Sequence, residues 1–99
     1  MHNKALSYFL KNLRKKFGNK IKKVILFGSY ARGDYNEESD IDILVIGDIK
    51  LDDIMDLVVD IMVKYGILIN VIIKSENEFN KLRYSSFYLT ILNEGVEIL

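Results

Sequence analysis

The chain has 99 residues with 14 basic and 14 acidic side chains, so its formal net charge is zero. Hydrophobic residues make up 49% and charged residues 28%, which excludes a disordered or fibrous chain and predicts one small α/β domain over residues 1–99. There is no cysteine, no apolar run of membrane-spanning length and no recognisable signal peptide, so we expect a cytoplasmic protein without disulfides or thiolate metal sites.

Helices and strands are predicted in short alternation along the chain. Apolar residues at helical spacing predict a first helix over residues 5–17, which Gly18 or Asn19 would end. Short β-branched apolar runs predict three buried strands, over residues 24–27, 41–46 and 67–73. Between the first two strands, residues 29–33 predict a tight turn or the start of a short helix.

The second half of the chain continues this alternation. Residues 52–65 predict a helix with an apolar face made of Ile54, Val58, Ile61, Met62 and Tyr65. Ser75 and Glu78 have the spacing of a capping box at the start of the next helix. A last helix over residues 85–93 and a short strand over residues 96–99 complete the order. The fold predicted is a two-layer sandwich in which helices pack on a small mixed sheet.

The zero net charge conceals two blocks of opposite sign. Residues 1–23 hold eight basic and no acidic side chains, whereas residues 24–60 hold ten acidic and two basic ones. This separation favours a site that handles both anions and cations. The basic run over residues 11–23 is compatible with nucleic-acid binding, but its helical periodicity favours a solvated face or a protein-partner surface.

Asp40 and Asp42 lie two residues apart at the start of a predicted strand. Side chains two apart on a strand share a face, so the two carboxylates project together while Ile41 and Ile43 point to the other face, into the core. Adjacent carboxylates repel each other, and a hard cation such as Mg²⁺ would relieve that repulsion. The alternative is a pair of solvated acids at the mouth of the strand.

Gly28, Ser29 and Arg32 follow the preceding strand and are candidates for phosphate binding. Glycine allows the backbone to approach a ligand closely, and backbone N–H groups with a hydroxyl in such a turn can hold a phosphate. The planar guanidinium of Arg32 suits phosphate, and an ion pair with one of the many nearby acids is the alternative. An anion cradle beside a cation-binding acid pair is what a metal–nucleoside triphosphate complex requires.

The stretch LFGSYARGDYNEESDIDILVI, residues 26–46, resembles the signature of the minimal nucleotidyltransferase family, within the DNA polymerase β-like superfamily. That signature is Gly-Ser after a strand, then Ala-Arg-Gly, and then Asp-x-Asp opening the next strand. Here the ten residues 30–39 separate Ser29 from Asp40. The resemblance, which the ending NEGVEIL also supports, implies a nucleotidyltransferase fold and a Mg²⁺-dependent transfer of a nucleoside monophosphate to a hydroxyl, with release of pyrophosphate.

The resemblance also implies roles for single residues. Gly28 and Ser29 would contact the triphosphate, and Asp40 and Asp42 would hold Mg²⁺. The family usually has a third carboxylate on the third strand, where this chain has Asn70, a neutral side chain and a weaker ligand for a hard cation. This departure leaves two interpretations open: an adapted or degraded catalytic site, or a tolerated change or simple misalignment with the family pattern.

Two other acidic residues and the single histidine are further candidates for the catalytic position. Glu76 or Glu78 could replace the missing carboxylate, but their position past the strand favours capping of the next helix. His2 is expected in a disordered tail and not as a general base. Asn70 therefore stays the candidate at the third position.

Small proteins of this family are often antitoxins paired with a helical HEPN toxin, and some transfer AMP from ATP onto a tyrosine of that partner. A chain of 99 residues has little room for both nucleotide and acceptor, so a HEPN-type partner or a homodimer is expected to complete the site. Two alternatives stay open, an inactive module that binds nucleotide or partner and neutralises by contact, and a nucleic-acid-binding domain built on the basic helix.

The aromatic residues near these motifs carry weaker signals. Tyr30 and Tyr35 flank the predicted cradle, where either could stack on a base. Tyr84, Phe87 and Tyr88 are more typical of a core or an interface than of a base pocket.

Overall fold

The structure is a computed structural model that describes residues 3–99, so the expectation for His2 lies outside the described residues. The helices in that part are α1 Lys4–Phe17, α2 Gly28–Arg32, α3 Leu51–Tyr65, α4 Glu76–Leu82 and α5 Ser86–Glu94. The strands are β1 Ile21–Phe27, β2 Ile41–Gly47, β3 Ile69–Lys74 and β4 Val96–Glu97. None of these helices is long and apolar enough to cross a membrane.

The strands form one mixed sheet in the order β3-β2-β1-β4. β1 runs antiparallel to both β2 and β4, whereas β2 and β3 are parallel and are connected through α3. This arrangement confirms the predicted α/β class and the mixed sheet. It also brings the end of β1 and the starts of β2 and β3 to the same edge of the sheet.

Buried side chains form two clusters, one on each face of the sheet. The larger cluster packs α1 and α3 against the sheet and includes Phe9, Leu13, Ile43 and Ile61. The smaller cluster packs α4 and α5 against the opposite face; it consists of Ile25, Leu44, Ile46, Phe79, Tyr88 and Ile91. Helices therefore lie on both faces of the sheet.

Two strands begin where the apolar runs do not. β1 begins at Ile21 and not at residue 24, because Ile21 pairs with Gly47 across an irregularity in the ladder. Lys22 and Lys23 interrupt the apolar run in this segment, so the pattern of apolar residues does not predict the first part of the strand. β3 begins at Ile69 and not at residue 67, because the first residue of its partner β2 is Ile41, opposite Ile69. The apolar residues before Ile69 have no strand to pair with.

The apolar face predicted for α3 is partly wrong. Ile54, Val58 and Ile61 are buried as expected, together with Leu57. Met62 and Tyr65 are instead exposed. Met62 lies about 100° around the helix from Ile61, outside the stripe of buried residues. Tyr65 lies about 40° from Ile61, within that stripe, but it is the last residue of the helix.

Candidate functional site

Three side chains stand in a row across the edge of the sheet. Asp42 on β2 is paired with Phe27 on β1 and with Asn70 on β3, so all three project from the same face. Ile41 and Ile43 on either side of Asp42 are fully buried on the other face, as predicted. The alternation of β2 thus places one carboxylate in the row and anchors the strand in the larger core.

Asp40 and Asp42 converge on the side chain of Asn70. The amide Nδ2 of Asn70 donates to Asp40 Oδ2 at 3.2 Å and to Asp42 Oδ1 at 3.1 Å. Asp40 and Asn70 are exposed, and Asp42 is half-buried. A neutral donor between two carboxylates partly offsets their mutual repulsion, so the pair predicted from the strand spacing is held together by the residue at the third position.

The donor set of this cluster fits a hard cation that also binds substrate. Within residues 3–99, no three His, Cys, Asp or Glu side chains lie close enough to form a complete metal site. Mg²⁺ is usually held by one or two carboxylates together with substrate phosphates, and does not need such a cage. The two aspartates satisfy that smaller requirement, and the Asn70 amide carries an oxygen in addition to its donor nitrogen.

Gly28 begins α2 directly beside the acid pair. Its φ is +71°, a left-handed conformation that favours glycine. A Cβ at this position would overlap the carboxylate of Asp42. The backbone therefore passes so close to Asp42 that only glycine fits, and Ser29 follows at the second position of α2, half-buried beside it.

Arg32 pairs with acids, which is the alternative that the sequence left open. Its Nε donates to Asp34 Oδ2 and its Nη1 donates to Glu94 Oε1, both at 3.2 Å. The hydrogen bond to Asp34 raises the pKa of the Arg32 guanidinium above its ordinary value, so the side chain stays cationic beside the cradle. Arg32 thus lies at the site, with its nitrogens shared between two carboxylates.

Glu94 at the end of α5 is a residue of the site that the sequence did not predict. Its Oε1 accepts hydrogen bonds from the backbone N–H of Gly28 and from Arg32 Nη1, each at 3.2 Å. Glu94 therefore links the last helix to the turn after β1. The signal available in the sequence was the ending NEGVEIL, which contains this residue but does not indicate where α5 packs.

The aromatic residues near the motifs fall into different environments. Tyr30 is buried and stacks on Tyr35 with ring centroids 4.2 Å apart, so the two rings cover each other. Tyr88 belongs to the smaller core, as expected. Tyr84 and Phe87 are exposed, by 78% and 51%.

Comparison with known proteins places the chain in a family. The family model described as a nucleotidyltransferase domain matches residues 6–94. The chain belongs to the nucleotidyltransferase domain family. The resemblance inferred from residues 26–46 is thereby confirmed, together with a nucleotidyltransferase-like fold.

Relatives of this nucleotidyltransferase include proteins of named activity. A protein of Methanocaldococcus jannaschii named "Putative protein adenylyltransferase" is 52% identical over 92 residues, which cover 93% of this chain and 92% of that protein. One chain in a crystal structure of a toxin–antitoxin with AMP-PNP is 25% identical in sequence to this chain and superposes with a TM-score of 0.60. The match covers 90% of this chain and 68% of that chain.

A third similarity is structural. A tri-AMPylated HEPN toxin of Shewanella oneidensis in complex with an MNT antitoxin contains a chain that matches with 21% identity and a TM-score of 0.52. The match covers 94% of this nucleotidyltransferase and 70% of that chain. At this identity the likeness concerns the fold.

Proposed function

We propose that this nucleotidyltransferase is a Mg²⁺-dependent protein adenylyltransferase, which transfers AMP from ATP to a hydroxyl group of a partner protein. The observation that carries the proposal is the convergence of Asp40 and Asp42 beside the close backbone approach at Gly28. The 52% identical relative named as a protein adenylyltransferase supports the choice of AMP and of a protein acceptor.

The side chains of the site divide into two groups in this proposal. Gly28 N–H and Ser29 bind the triphosphate, and Arg32 adds positive charge at the same place. Asp40 and Asp42 hold Mg²⁺, which when bound neutralises phosphate charge and stabilises the departing pyrophosphate. Since Glu94 accepts from both Gly28 N–H and Arg32, these donors exchange that carboxylate for phosphate oxygens when ATP binds.

The reaction exchanges a phosphoanhydride bond of ATP for a phosphoester bond to the acceptor. The acceptor oxygen forms a bond to the α-phosphorus of ATP, the bond from that phosphorus to pyrophosphate breaks, and the hydroxyl proton passes to solvent water. Asn70 is neutral and takes up no proton, so the third position does not act as a general base in this chain. Its amide holds Asp40 and Asp42 in position instead.

The acceptor we propose is a tyrosine of a helical HEPN-type toxin, for which this chain is the antitoxin. The structurally similar chain comes from a complex of an MNT antitoxin with a tri-AMPylated HEPN toxin. A second copy of this chain would be another way to complete the site. The neutral Asn70 favours one further candidate function, an antitoxin that binds its partner and neutralises it by contact without transfer.

Transfer of labelled AMP tests the proposal directly. The protein is incubated with Mg²⁺, α-labelled ATP and a HEPN-type protein, and label on that protein is measured. Asp40→Asn and Asp42→Asn should each lower the rate by about 10²-fold or more, since a metal ligand contributes several kcal/mol to the transition state. The control Asp56→Asn removes an exposed acid of α3 and should retain the wild-type rate.

The same variants distinguish catalysis from contact. Undiminished labelling in Asp40→Asn and Asp42→Asn would show that these residues do not carry the chemistry. Absence of labelling in the wild type, with toxin neutralisation retained in both variants, would replace the proposal with neutralisation by contact.

A further inference from the structure

Helix α5 carries an exposed aromatic ring on the side that faces the sheet. Phe87, Ile91 and Glu94 are spaced four and three residues apart, so they lie on one side of the helix. Ile91 is 1% exposed in the smaller core, and Glu94 bonds to Gly28 N–H. Phe87 shares this side but is 51% exposed. About half of the surface of Phe87 is therefore accessible to a ligand.

The position of the Phe87 ring is fixed by its aromatic neighbours. It contacts Phe27 edge to face, with centroids 6.3 Å apart, and Tyr88 in the same manner at 5.2 Å. Phe27 immediately precedes Gly28 and stands in the row with Asp42. The exposed ring is thus held against the residue that precedes Gly28 and pairs with Asp42. A ring held in this way loses little side-chain entropy when a ligand stacks on it.

We propose that Phe87 is the surface on which the base of the bound nucleotide stacks. The inference rests on the proposed function, because it requires a nucleoside triphosphate whose phosphates lie at Gly28. A base offers a flat π face to an aromatic ring, and such stacking tolerates any base. Phe87 has no hydrogen-bonding group, so it selects nucleotides over inorganic triphosphate but does not read the identity of the base.

Other aromatic residues of the described chain fit this role less well. Tyr30 and Tyr35 already stack on each other, so Tyr30 has no free face. Tyr84 is the most exposed ring, but it follows α4 and lies over the guanidinium of Arg83. Tyr84 therefore serves as the control for an exposed aromatic residue away from the cradle.

Binding of ATP and of inorganic triphosphate, each with Mg²⁺, separates stacking from phosphate binding. We expect Phe87→Leu, which keeps apolar contact with Phe27, to weaken ATP binding about fivefold or more while leaving triphosphate binding unchanged. Phe87→Tyr should restore ATP affinity, and Tyr84→Ala should change neither ligand. Isothermal titration calorimetry measures both affinities, and circular dichroism confirms that the variants are folded.

Several results would overturn the inference. Equal loss of ATP and triphosphate affinity in Phe87→Leu would mean that the residue supports the cradle and does not contact the base. Unchanged ATP binding combined with loss of partner binding would make Phe87 part of a protein interface. The proposed function can fail separately. ATP selectivity that depends on Phe87, without AMP transfer, would refute AMP transfer only. A wild type that binds neither ATP nor triphosphate would refute both base stacking and AMP transfer.

Discussion

Asn70 is the residue in which this chain departs from the pattern it resembles. The third strand usually supplies a carboxylate that adds negative charge to the metal site. Here the amide supplies two hydrogen bonds to Asp40 and Asp42. An amide at this position replaces a third repelling charge with a hydrogen-bond donor, so both carboxylates of the acid pair accept a hydrogen bond in the absence of a cation. This preorganisation comes with a lower total charge for holding Mg²⁺.

A carboxylate at position 70 should strengthen Mg²⁺ binding and weaken the preorganisation of the acid pair. We expect Asn70→Asp to bind Mg²⁺ at least about tenfold more tightly, because the ligand charge rises, and to lower the Tm in the absence of Mg²⁺, because three carboxylates then converge. Thermal unfolding with and without Mg²⁺, together with the rate of AMP transfer, measures both effects.

Asn70→Ala is the matched control, since it removes the hydrogen bonds without adding charge. It should lower the Tm with no gain in Mg²⁺ affinity. If Mg²⁺ raises the Tm of Asn70→Asp by no more than it raises that of the wild type, then position 70 does not contribute to the metal site.

Residues close together in the sequence could be predicted, whereas those brought in by packing could not. The two-residue period of a strand is sufficient to place Asp40 and Asp42 on one side, and Gly28 follows directly from the end of a strand. Glu94 and Phe87 reach the same edge only because α5 packs across the end of β1. No local pattern in residues 86–94 specifies that docking.

At the scale of elements, pairing partners decide where the strands begin. The apolar run of β3 extends over residues 67–73, but the strand starts at Ile69 because β2 starts opposite it. β1 extends to Ile21 despite Lys22 and Lys23, because β2 continues to Gly47 on the other side of the ladder. The helices, whose hydrogen bonds are internal, were predicted to within one residue for α1 and α3 and with the right cap for α4.

The capping box of α4 predicts a pH dependence. Glu78 accepts a hydrogen bond from the backbone N–H of Ser75 at 2.9 Å, and this bond lowers the pKa of its carboxyl below the ordinary value of 4.5. A carboxyl whose pKa is lowered by folding stabilises the folded state above its unfolded pKa. That stabilisation is lost as the pH falls through the lower, folded pKa.

Glu78→Gln should therefore lower the Tm slightly at pH 7 and have a smaller effect at pH 3, where more of the carboxyl is protonated. Hydrogen exchange in residues 76–79 gives the local measurement at both pH values. Glu76→Gln, in the same first turn, controls for the general preference for acids at a helix N-terminus. A Glu78→Gln effect of equal size at both pH values would show that the charge of the carboxylate does not contribute to the cap.

At the scale of the whole molecule, the opposite charge blocks lie side by side. α1 carries most of the basic block and packs against α3, which carries much of the acidic one. Lys15 and Lys16 line one groove together with Asp56 and Asp60, and Lys16 Nζ also donates to the backbone oxygen of Asp53. The blocks thus offset each other locally, which leaves α1 a weaker positive surface than its sequence suggests.

This arrangement argues against nucleic acid as a partner. At physiological salt, we expect single-stranded RNA to bind with a Kd above about 10⁻⁴ M, which is the weak limit of ordinary non-specific binding. Asp56→Lys, which reverses one acid facing Lys15 and Lys16, should gain RNA affinity, and that gain should fall as salt is raised. Fluorescence anisotropy over a salt series measures both proteins. Micromolar binding by the wild type that weakens steeply with salt, and that is lost when Lys11, Arg14 and Lys15 are changed to Glu, would instead make the basic helix a nucleic-acid surface.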